Sequence, residues 1–153
     1  INPKIIIEKN MGKSINDYKF LCFNGEVKYC WVDVDRYSNH KRNIYDLDWN
    51  LMPFNQNDYG NYEKNIDKPK NFDEMVLIAK KLCQGFDHVR VDLYSINEKI
   101  YFGEMTFSNG SGCEKIYPSE WDNKLGQLWD FNNYKRNNNI NKRLKNSLKE
   151  YII

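Results

Sequence analysis

Asp92 and Glu104, with Arg90 two residues before the first and Thr106 two after the second, are the side chains best placed for chemistry in this 153-residue chain. All four lie in one stretch, VRVDLYSINEKIYFGEMTFSNGSG, residues 89–112. Residues 89–94 alternate apolar and polar, as a half-buried strand does, and residues 99–106 alternate again. The polar SINE segment, 95–98, separates them, so the stretch predicts a hairpin. Side chains two apart on a strand share a face. Pairing about the 95–98 turn therefore brings Asp92 close to Glu104 across the ladder, with Arg90 and Thr106 flanking. Two carboxylates on one face repel unless a cation or a proton lies between them.

The elements that must position this hairpin read clearly in places. Residues 4–8 predict a buried strand ending in the charged pair Glu8-Lys9, followed by a loop with Gly12. Residues 17–23 and 26–36 predict a second hairpin, because Asn24-Gly25 supplies the positive φ angles of a type I′ turn. Residues 44–46, with Trp49, predict a short edge strand, and 51–70 a long surface loop rich in Asn, Asp, Tyr and Pro. A helix is expected over 72–84, with Asn71 as N-cap, Glu74 as its capping-box partner and Gly85 as terminator. Met75, Ile78, Ala79 and Leu82 form its apolar stripe. A short helix capped by Ser119 is expected over 119–129. A polar break at 132–139 then precedes a basic helix at 140–151. Strands outnumber helices, so the expected class is α+β, an antiparallel sheet with flanking helices. The expected division is 1–131 as one subdomain and 132–153 as a basic helix or tail.

Composition narrows the function classes. There are 23 basic and 21 acidic residues, a net charge of +2, and no strong field that would draw nucleic acid. No apolar run approaches membrane-spanning length, so membrane insertion is not expected. Cys22, Cys30, Cys83 and Cys113 form no close pair, which argues against a zinc site and for reduced, cytoplasmic thiols. The chain opens on Ile1 and enters a strand-like run almost at once, as a piece of a longer protein would.

At these residues the chain resembles the C-terminal half of an ATP-grasp domain, most closely the TupA-like family named for teichuronopeptide biosynthesis. The matching blocks are IIIEK (5–9), DYKFLCFNG (17–25), VDVDR (32–36), IYDLDW (44–49), KP (68–69), EMVLIAKKL (74–82), VRVDLY (89–94) and YFGEMTF (101–107). They keep the family's order over roughly residues 4 to 112. The resemblance implies Mg²⁺ and ATP as cofactors, and a carboxylate substrate activated as an acyl phosphate for attack by an amine. It places Glu8 and the Lys9 backbone at the adenine, Asp17 at the ribose, and Lys19 and Arg36 near the nucleotide. It makes Asp92 and Glu104 the magnesium carboxylates. Thr106 stands third, where many relatives carry Asn. Arg90 matches the arginine that steadies the transferred phosphoryl group and the tetrahedral intermediate. Residues 108–112 resemble the loop that receives the acceptor. The family's preceding half, with its glycine-rich loop and phosphate-covering lysines, would be the missing partner.

The function so implied is an ATP-dependent carboxylate–amine ligase of cell-surface polysaccharide biosynthesis. A kinase of the same superfamily, or a non-catalytic half-domain that binds glycan or a partner protein, are the alternatives. Without the resemblance, the same residues read more plainly. The acids would be solvated sheet residues and Arg90 a surface ion-pair partner of little energetic worth. Trp31, Tyr94, Phe102 and Phe107 would be core, and His40 and His88 surface residues.

Overall fold

The computed structural model describes residues 5, 12, 15–56 and 60–129. The strand expected at 4–8, Glu8 and Lys9 with it, the break at 132–139 and the helix expected at 140–151 lie outside the described residues. Within them the chain runs β1 (Asp17–Phe23), β2 (Glu26–Val34), β3 (Lys41–Tyr45), β4 (Asn55–Gln56), α1 (Phe72–Leu82), β5 (His88–Ile96), β6 (Lys99–Thr106), β7 (Ile116–Tyr117) and α2 (Ser119–Gln127). Five strands form one antiparallel sheet in the order β3-β2-β1-β5-β6, and β4 pairs with β7 in a separate two-stranded ribbon. The expected α+β architecture is what the chain adopts.

Both hairpins turn where the sequence places them. Asn24 and Gly25 have φ of 51° and 78°, and Asn97 and Glu98 have 52° and 63°. Positive φ at both central residues suits the right-handed twist of the flanking strands. The first hairpin joins β1 to β2 and the second joins β5 to β6. Their central strands, β1 and β5, then pair with each other, bringing Asp17 opposite Tyr94, Lys19 opposite Asp92 and Leu21 opposite Arg90.

Period-2 alternation splits the sheet into two unlike faces. One face carries Phe20, Cys22, Cys30, Val32, Val91 and Leu93, all buried, and packs against Phe72, Met75, Ala79 and Leu82 of α1. Phe20 and Phe72 are fully buried, with ring centroids 5.8 Å apart. The other face is apolar only at one end, where Leu21, Phe23, Trp31 and Ile44 meet Phe54, Ile116 and Leu125. At its other end the same face carries charge: Asp17, Lys19, Asp33, Arg42, Arg90 and Asp92, all buried.

Several local expectations need correction. Asn71 makes no side-chain cap for α1. Its amide instead donates to the Glu98 carbonyl and its carbonyl accepts from Ser95, so the capping side chain is spent on tying the helix to the β5–β6 turn. Pro118, not Ser119, precedes the first turn of α2. The 51–70 segment is not wholly surface loop. It contributes β4, and Phe54, Gln56 and Ile66 are buried. Phe102 and Phe107 are exposed, not core, at 42% and 54%. Phe102 lies opposite buried Leu93, but on β6, an outer strand of the five-stranded sheet, where the core cluster does not cover it. Trp31 is core, as expected. The four cysteines are free.

Candidate functional site

The charged end of the second face is a connected network. Lys19, from the middle of β1, is buried, and its ammonium lies 2.7 Å from Asp92 Oδ2, 3.2 Å from Asp17 Oδ2 and 4.0 Å from Asp33 Oδ2. A buried cation among three carboxylates is electrostatically satisfied from each neighbouring strand. Arg36, just past β2, donates to Asp17 Oδ2 at 2.7 Å while its side chain stays about half exposed. Its guanidinium is therefore bound on one side and open to solvent on the other. The carboxylates Asp17, Asp33, Asp92 and Glu104 face the cations Lys19, Arg36, Arg42 and Arg90.

Arg90 organises the β5–β6 end. Its Nε donates to Asp92 Oδ1 at 2.7 Å, and its Nη2 donates to Asp92 Oδ2 at 2.8 Å, Glu104 Oε1 at 2.9 Å and Thr106 Oγ1 at 3.0 Å. Thr106 in turn donates to Glu104 Oε1 at 3.0 Å. The three side chains expected to hold a metal thus point at one place, and a guanidinium nitrogen occupies it. Arg90 pairs with Thr106 in the ladder, and the register shift that follows sets Asp92 against two residues of β6, Gly103 and Glu104, without a one-to-one partner. Burial by itself would lower the Arg90 pKa, but the Asp92 hydrogen bonds and charge win and raise it. Glu104 remains largely exposed, with 63% of its side-chain surface open.

A second pair lies outside the residues expected to form the site. Arg42 on β3 forks onto Asp33, Nε to Oδ1 at 2.5 Å and Nη2 to Oδ2 at 2.7 Å, and also donates to Gln56 Oε1. Its guanidinium lies 5.0 Å from the centre of the Trp31 ring. His40 Nε2 is 3.2 Å from Asp33 Oδ2, so His40 belongs to this network and is not a free surface residue. A signal was present: Asp33 follows Trp31 at strand spacing, a charge in register with a core tryptophan. Tyr94, opposite Asp17, is half-buried, and burial together with the Asp17 carboxylate pushes its phenol up to about 12.

Beside Arg90 the face opens into a cavity of about 250 Å³, whose walls include Leu21, Phe23, His88, Asn109, Glu114 and Leu125. Asn109 begins a 3-10 turn, Asn109–Gly112, in which Gly110, Ser111 and Gly112 all have positive φ. The Asn109 side chain accepts from Arg90 Nη1 at 3.2 Å, linking this loop to the charged network. His88, expected at the surface, is half-buried between Phe23 and Trp129, with ring centroids 4.7 Å from each. Its Nδ1 lies 3.0 Å from the Cys22 carbonyl, which can only accept, so Nδ1 carries the proton.

Burial depresses the His88 pKa, assisted by the Arg90 charge and opposed by the Cys22 hydrogen bond. A histidine harder to protonate folded than unfolded contributes stability above the unfolded value of about 6.5, and loses it as pH falls through the folded value. His88→Phe should therefore flatten the decline in stability between pH 7.5 and pH 5. Urea unfolding at both pH values checks this, and an unchanged decline would exclude His88 as its source.

Among the described residues no group of three or more His, Cys, Asp or Glu side chains closes on one point. Mg²⁺ does not need such a cage, because it is usually held by one or two carboxylates together with substrate phosphates and water. The oxygen-only set Asp92, Glu104 and Thr106, already converging on a cationic group, fits that requirement. Among the described residues, too, no helix is long and apolar enough to cross a membrane.

The family model described as TupA-like ATPgrasp matches residues 1–130. No curated protein and no solved structure matches the chain.

Proposed function

The chain belongs to the TupA-like ATP-grasp family, and from that premise we propose that it supplies the metal-carboxylate half of an ATP-dependent carboxylate–amine ligase of cell-surface polysaccharide biosynthesis. One observation carries the assignment to this face. Oxygens of Asp92, Glu104 and Thr106, brought from two strands, meet within 3.0 Å of a single cationic nitrogen. Proteins of this family generally use ATP and Mg²⁺, and hard oxygen donors on a charged sheet face suit that pair.

In this proposal Asp92 and Glu104 hold the magnesium, with Thr106 as third oxygen. The metal, when bound, neutralises phosphate charge during transfer. Arg36 has a half-exposed guanidinium free to meet phosphate oxygens, and Asp17 lies beside it for the ribose hydroxyls. Lys19 contributes from beneath: its buried ammonium lies 2.7 Å from Asp92 and 3.2 Å from Asp17 and holds both side chains in place without reaching the nucleotide itself. Arg90 steadies the transferred group, and the loop at 108–112 borders the cavity that would seat the acceptor. A glycine-rich half of the kind found elsewhere in the superfamily covers the phosphates, and Glu8 and Lys9 meet the adenine.

Titration calorimetry with ATP, with and without Mg²⁺, tests the assignment. Magnesium-dependent binding is expected, weakened at least about tenfold in Glu104→Gln, since one charge-assisted contact is worth about 1.5–3 kcal/mol. ATP binding that ignores Mg²⁺ and the variant would remove this face as the metal site. Release of inorganic phosphate together with amide formation, as opposed to a phosphorylated product, separates a ligase from a kinase.

A further inference from the structure

We infer that Arg90 is the resident cation of the Asp92–Glu104–Thr106 position, so that its guanidinium and a divalent cation exclude one another there. This rests on the metal assignment proposed above and adds a role for Arg90 that assignment does not contain.

The geometry carries it. A single nitrogen, Arg90 Nη2, donates to one oxygen of each of the three side chains, at 2.8, 2.9 and 3.0 Å. A magnesium ion shared by the same oxygens would lie about 2.0–2.1 Å from each. It would stand where Nη2 now stands, and the two cannot share the space. A guanidinium cannot leave by losing its proton. Arg90 therefore has to turn aside when the metal enters.

Charge bookkeeping gives the exchange a direction. One positive charge is replaced by two, while Lys19 stays 2.7 Å from Asp92 Oδ2. The displaced guanidinium loses its Glu104 partner, and its other terminal nitrogen already reaches Asn109 on the loop bordering the cavity. There it is an unpaired cation beside the place where an anionic group would be seated. Metal entry and anion binding at Arg90 thus favour one another.

The sign of the mutational effect separates this from a supporting role. If Arg90 competes, Arg90→Gln should bind Mn²⁺ more tightly than the unaltered chain, by about tenfold or more for the loss of hydrogen bonds from a charged donor. If Arg90 merely orients the carboxylates, the variant should bind more weakly. The measurement is loss of the free Mn²⁺ electron paramagnetic resonance signal in the full 153-residue chain, its Arg90→Gln variant and its Glu104→Gln variant. Because Arg90→Gln also removes a buried ion pair, the unaltered chain is titrated with Mg²⁺ as well while the arginine Nε–H resonances are followed. The Arg90 signal should shift together with those of residues 104–106. Tighter Mn²⁺ binding in the Arg90 variant, or that paired shift, supports the exchange. Metal binding that depends on Glu104 while Arg90 does not move, or that weakens without Arg90, overturns the exchange and leaves the metal site standing. Binding by none of the three proteins at millimolar Mn²⁺ overturns both.

Discussion

Asp92→Asn is expected to lower the unfolding free energy by about 3–5 kcal/mol, the usual penalty for removing one partner of a buried ion pair. Asp92 is 2% exposed, and it is the shared partner of two buried cations, Lys19 at 2.7 Å and Arg90 at 2.7 and 2.8 Å. An amide keeps the shape but not the charge, so both cations stay in place with less to compensate them. Against a typical stability of about 5–15 kcal/mol this is a large fraction. Under the proposed assignment, any loss of ATP-dependent ligation in Asp92→Asn would therefore combine a lost metal ligand with a weakened sheet. Glu104→Gln separates the two, because its mostly exposed side chain makes an ion pair whose loss predicts a change of about 1 kcal/mol or less. Urea unfolding of both variants is the check. A loss below 1 kcal/mol in Asp92→Asn would show that the network does not depend on that charge.

The second large effect is expected at Asp33 and Arg42. Asp33 is 1% exposed and takes a two-pronged contact from Arg42, so Asp33→Leu or Arg42→Met alone should each cost about 3–5 kcal/mol. Together they should cost clearly less than the sum, since the double replacement strands neither charge against the other. Additive losses in a double-mutant cycle would count against the pair. Acid adds a second readout. Burial alone would raise the Asp33 pKa, but the Arg42 hydrogen bonds and charge, with help from Lys19 and His40, bring it below the ordinary value. A carboxylate with a depressed folded pKa stabilises the fold above its unfolded value of about 3.9, and that contribution is lost as pH falls through the folded value. Asp33→Leu should remove this share of the acid-limb decline, below about pH 4, and leave the share of His88 nearer pH 6.

Much of the fold was legible because its signals are local. Asn24-Gly25 demands a tight turn, alternation assigns strand faces, and Met75, Ile78, Ala79 and Leu82 mark the buried side of α1. The grouping of Arg90, Asp92, Glu104 and Thr106 was equally local, because one hairpin carries all four. Asn71 misled for the opposite reason. Its side chain answers to the β5–β6 turn, 24 residues and more away in sequence, which no capping rule sees.

What the sequence determined by itself was which residues face the same way within each hairpin, since strand period and turn chemistry act over a few residues. What only the tertiary structure decided was which hairpin lies against which. The β1–β5 pairing sets Lys19 against Asp92, 73 residues apart, and β3 brings Arg42 to Asp33. Phe102, although opposite buried Leu93, stays exposed because β6 is an outer strand of the sheet. These outcomes follow from the burial of two whole faces at once, a sum over distant contacts that no window of sequence contains.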